Sequence, residues 1–178
     1  MGQPIGRYAM NTAMNKVLMA AVLVVLLVTG CGRPKGVVRS AFFWGVDLTA
    51  TVNRCAPAEV KWGDRGTGSG GGASNEVQTH WHKDVNADFQ CGAEAVDTFL
   101  LALEADLQKA VESYGGKVAK PQNITAKPSV GGFGFDYEIG KTRGEVRGSV
   151  RRRNENEGRW TDRYPYHLDL RVEEAVVR

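Results

Sequence analysis

His80-Trp81-His82 and the distant His167 are the residues best suited to hold a metal. In a strand, side chains two apart point to the same face, so both imidazoles of the pair can reach one ion. His167 would supply a third ligand of the kind zinc accepts. The opposing consideration is that histidines on a wet strand face are ordinary surface residues, and no H-E-x-x-H or paired-cysteine spacing supports a metal site here. The expectation is therefore a shared solvent face for His80 and His82 with Trp81 turned inward, and no resident metal or cofactor. A small metal-binding protein or metalloenzyme using His80, His82 and His167 is the alternative.

Three cysteines, Cys31, Cys55 and Cys91, carry the remaining reactive chemistry. Cys31 closes the apolar run Val17–Thr29, which follows Lys16 and ends on Val28-Thr29-Gly30-Cys31. The run is shorter than the roughly 20 residues that a membrane-spanning helix needs. A positive residue, a short apolar stretch and small residues are, in that order, the parts of a secretory signal. The ending resembles the lipobox of bacterial lipoproteins. The resemblance implies that the Cys31 thiol receives a lipid, that a peptidase cuts between Gly30 and Cys31, and that Cys31 becomes the first mature residue. Met14, three residues before the apolar run, is the expected initiator of that signal. Gly32 follows the cysteine instead of Asp, which in enteric bacteria favours the outer membrane.

With Cys31 assigned to lipid, Cys55 and Cys91 are left as an even pair in an oxidising compartment, where a disulfide between them is expected. Removing Arg7 and Lys16 with the signal leaves 21 basic against 20 acidic residues. A nearly neutral chain gives no electrostatic argument for nucleic acid.

Other motifs reduce to ordinary structure. Gly66-Thr67-Gly68-Ser69-Gly70-Gly71 has G-x-G-x-x-G spacing, but a dinucleotide site requires that pattern to open a helix inside a βαβ unit. Gly140-Lys141-Thr142 lacks the upstream glycine of a phosphate loop. No G-x-S-x-G nucleophile elbow is present. Arg151-Arg152-Arg153, flanked by acids, reads as a solvated hairpin end.

The elements that must position these residues follow from periodicity. Val96, Leu100, Leu103, Leu107, Val111 and Tyr114 step by threes and fours, which predicts a helix stopped at Gly115-Gly116. Period-two alternation predicts strands over 133–139, 146–151 and 166–173, another through Trp81, and one in the stretch AFFWGVDLTATVNRC at 41–55. A short strand is expected at 59–62, and the glycine-rich 63–75 reads as a flexible loop. The resulting expectation is an α+β fold, one main helix packed on an antiparallel sheet of about five or six strands.

The expected organisation is a lipoprotein signal at 1–30, a membrane-proximal tether at 31–40 and a single domain at 41–178. The functional expectation is a non-catalytic binding or scaffolding module, held by lipid at a bacterial membrane on the exported side. Its expected partners are envelope proteins or polymers. A binder of a small apolar ligand between helix and sheet is a further alternative.

Overall fold

The computed structural model describes residues 40–73, 79–119, 131–153 and 163–176. The signal run, the lipobox and tether residues 31–39 lie outside the described residues. Six strands form one wholly antiparallel sheet: β1 (Lys61–Ala73), β2 (Thr79–Gln90), β3 (Lys117–Val118), β4 (Gly131–Ile139), β5 (Thr142–Arg152) and β6 (Tyr166–Val176). Their order across the sheet is β1-β2-β6-β5-β4-β3. Among the described residues the helices are α1 (Ala41–Gly45), α2 (Leu48–Cys55) and α3 (Ala93–Ser113). The antiparallel sheet and the α+β arrangement match expectation, but the helical layer has three members rather than one main helix. None of these helices is long and apolar enough to cross a membrane.

The core lies between the helices and one face of the sheet. From α3, Val96, Phe99, Leu100, Leu103, Leu107 and Val111 are buried. They meet Val85, Phe89, Phe133, Phe135, Leu168 and Leu170 from the strands. Each such side chain contributes about 1.5–3 kcal/mol on burial. Tyr114, the last residue of the expected stripe, is instead exposed. The helix stops where expected. Gly115 takes φ +75°, and the Gly116 and Gly115 amides donate to the Val111 and Glu112 carbonyls, which is the Schellman arrangement.

Residues 41–55 are helical, not the strand that their alternation suggested. The Ser40 hydroxyl accepts from the Phe43 amide and starts α1; the Asp47 carboxylate accepts from the Ala50 amide and starts α2. These caps satisfy amides that a helix start otherwise leaves unpaired, and Leu48, Thr51 and Val52 then fall on one buried face. Ser40 itself is buried, so the domain begins one residue inside the expected tether.

The glycine-rich 63–73 is likewise strand, not loop. It pairs with β2 in continuous register from Arg65↔Ala87 to Ala73↔Thr79. The side chains of Asp84, His82 and Trp81 occupy the space where a Cβ on Gly68, Gly70 or Gly71 would sit. Glycine is here a cross-strand packing requirement. Gly140-Lys141-Thr142 forms the tight turn from β4 into β5, with Gly140 at φ +59°.

Candidate functional site

The register places the two sheet faces in sharp contrast. On the face away from the helices stand His80, His82, Asp84 and Asp88 from β2, His167, Asp169, Arg171 and Glu173 from β6, and Arg143, Glu145 and Arg147 from β5. His80 and His82 do share that face. Trp81 turns inward, its ring 6.4 Å from Phe43 and 6.2 Å from Trp44.

The three imidazoles are not brought together. His167 pairs with Asp88, whereas His82 pairs with Glu173, six steps further along β2. At about 3.4 Å per residue that is roughly 20 Å. No group of three metal-ligating side chains exists among the described residues. The reading that joins His80, His82 and His167 in one metal site is therefore corrected by the register.

His167 has a different partner, and not its strand neighbour Asp169. Its Nδ1 lies 2.7 Å from Oδ1 of Asp88, and Oδ2 of Asp88 accepts from the Arg153 guanidinium at 2.6 Å. The arginine side chain is 12% exposed, so this member of the basic run is not solvated as expected. Asp88 thus fixes the imidazole through Nδ1. This constellation was invisible in the sequence, because Asp88 and His167 lie on strands whose adjacency no local pattern reveals.

A second polar cluster lies on the helix side. Glu174 is 2% exposed, and Tyr137 donates to its Oε1 across 2.6 Å. Burial pushes the Glu174 carboxyl up from the ordinary carboxylate range, opposed by the hydroxyls of Tyr137 and Ser40 and by the charge of Lys83. Lys83 lies 5.0 Å from the Phe43 ring and 5.6 Å from Trp44, and burial lowers its ammonium pKa. Ser40, Phe43 and Trp44 all come from the first turn and a half of the domain. The cluster therefore clasps the chain's entry point to the middle of the sheet.

Beside it opens a cleft of about 300 Å³, with Asp47, Thr67, Ser69 and Lys83 around an apolar margin of Val46 and Leu48. The space between α3 and the sheet is filled by Phe99, Leu103, Leu107, Phe89 and Leu168, all completely buried. The cleft lies outside that packed layer.

The Cys55–Cys91 bridge expected from parity is not formed; both thiols are free. The Cys55 thiol donates to the Ala102 carbonyl, in the third turn of α3, whereas Cys91 precedes that helix. At 1.5 Å per residue, Ala102 stands more than about 13 Å along α3 from its start, beyond the roughly 7 Å that a disulfide allows between Cα atoms. Burial raises both thiols, Cys91 to about 11.

No protein-family model, curated protein or solved structure matches this chain.

Proposed function

We propose that this chain is a lipid-anchored module of the bacterial cell envelope, held through Cys31, that binds or scaffolds other envelope components without catalysis. One observation carries the reading beyond the lipobox. The chain enters the domain at Ser40, which is buried on the helix-covered side of the sheet beside Glu174. The ten residues from Cys31 to Ser40 span at most about 30 Å, so a lipid on Cys31 would hold the domain within that distance of the membrane. The sheet face away from the helices carries alternating charges, including Arg147 with Glu145 and Arg171 between Asp84 and Glu173. Paired charges of both signs suit reversible, orientation-specific contact more than tight apolar burial.

Labelling with radioactive palmitate, in wild type and Cys31→Ser, tests the anchor. Label in wild type and its loss in the variant, with movement from the membrane to the soluble fraction, is the expected result. Equal absence of label in both would overturn the lipoprotein reading.

A further inference from the structure

One wall of the cleft beside the entry clasp is a cross-strand block, with Ser69 opposite Lys83 and Thr67 opposite Val85. Residues directly opposite each other share a face. Val85 is buried under the helices, so the two hydroxyls and the ammonium belong to the helix side of the sheet. Val46 and Leu48, where α1 gives way to α2, form the apolar wall. At about 300 Å³ the cleft has the space of about ten waters at roughly 30 Å³ each. That is the lower bound of small-ligand sites.

Among the described residues, no ion pair includes Lys83. The Phe43 and Trp44 rings, 5.0 and 5.6 Å from its ammonium, favour the positive charge but offer no acceptor oxygen. Two acids reach it through their charges, Glu174 and Asp47. Glu174 is buried and held toward its neutral form. Asp47 commits a carboxylate oxygen to the Ala50 amide that starts α2. Asp84 also borders the cleft, but its Oδ2 faces Arg171 at 3.8 Å. A partly buried ammonium without its anion carries a desolvation cost, and an anion entering the cleft would remove it.

We propose that this cleft binds a small carboxylate carrying a short branched apolar group. The carboxylate pairs with Lys83 and accepts from Ser69 and Thr67, and the apolar group lies against Val46 and Leu48. The charge of Asp47 at the margin disfavours a more highly charged anion such as phosphate. A free branched-chain acid and a protein chain ending in leucine present the same chemistry. Either would give an envelope-binding module a defined occupant, yet the site needs neither the lipid anchor nor the charged outer face.

The test follows acetylation of lysine side chains by mass spectrometry, in the full chain held in detergent. A bound carboxylate covers the Lys83 amine and favours its charged form, so acetylation there should slow about tenfold, as for a pKa raised by about one. Exposed Lys109 should be unaffected. The probes are 4-methylpentanoate and a pentapeptide ending in leucine, each beside its uncharged amide. Protection by either acid supports the proposal, and the one that protects at lower concentration identifies the source. The double variant Thr67→Val, Ser69→Ala should need several-fold more acid for the same protection, with circular dichroism unchanged. Protection should be equal in Cys31→Ser, whatever palmitate labelling shows. The proposal is overturned by a Lys83 that does not acetylate in the ligand-free chain, or by no protection at millimolar acid. Equal protection by the amides, an unchanged response in the double variant, or protection that requires Cys31 would also overturn it.

Discussion

The ring of Phe133 occupies the space that a side chain on Gly148, its cross-strand partner, would need. The same relation joins Tyr137 to Gly144 four residues further along β4, with Phe135 opposite Val146 between them. At both positions the sheet face under α3 is levelled by rings lying over bare backbone.

Gly148→Ala should therefore cost about 1–3 kcal/mol, the range for overpacking a filled core. Gly134→Ala is the control, since its Cβ would make only ordinary contacts with the Val146 carbonyl and Arg147; it should change stability by less than about 0.5 kcal/mol. Urea unfolding of the two variants decides the matter, and equal stabilities would refute the packing argument.

Glu174 makes the fold sensitive to pH. Its folded pKa is raised, chiefly by burial, so the folded protein holds a proton that the unfolded chain has released. Stability from this group is complete below the ordinary carboxylate pKa and falls as pH rises toward the raised value. Glu174→Gln keeps an acceptor for Tyr137 and removes the titration. Thermal unfolding followed from pH 4 to 8 should show a smaller decline for the variant than for wild type. Parallel profiles would be the contrary result.

The two thiols should behave as separate, protected groups. Without reductant, the unfolded protein should yield both Cys55 and Cys91 to alkylation. In the folded protein at pH 8, Cys91, pushed up to about 11 by burial, should react on the order of 10²-fold more slowly than a free thiol of ordinary pKa. A peptide containing Cys55 linked to Cys91, found by mass spectrometry of non-reduced digests, would contradict this.

Asp88 should matter more than the other charges on its face. Asp88→Ala leaves both His167 and the well-covered Arg153 without their carboxylate, at a cost of about 1–3 kcal/mol. Arg143→Ala breaks a pair with Glu138 whose side chains are 70% and 61% exposed, and should cost less than about 0.5 kcal/mol. Guanidinium unfolding of both variants gives the comparison.

What was legible in the sequence was whatever repeats locally. The stripe from Val96 to Val111 and the alternation of Tyr166 to Val172 each need only a buried face, and the structure supplies one. Residues 41–55 misled because alternation and helical spacing share positions there. Leu48 and Val52 satisfy both periods, and the caps at Ser40 and Asp47 decide between them. The glycine-rich strand misled because its side chains are borrowed from β2. The pairing of His167 with Asp88, and the separation of His167 from His82, depend on which strands are neighbours. That information lies in register, not in any stretch of sequence.

The strand order also governs when the fold can form. β6 is the final described strand, yet it sits between β2 and β5 and joins Thr79 to Val176 and Phe89 to Tyr166. Until the chain is complete through Val176, the β1–β2 hairpin and the β4–β5 hairpin have no strand between them. Pairing at such sequence separation carries a loop-closure cost before any contact repays it. A chain made only as far as β5 therefore lacks its keystone. Folding waits for β6, and until that strand is available the two hairpins remain unjoined.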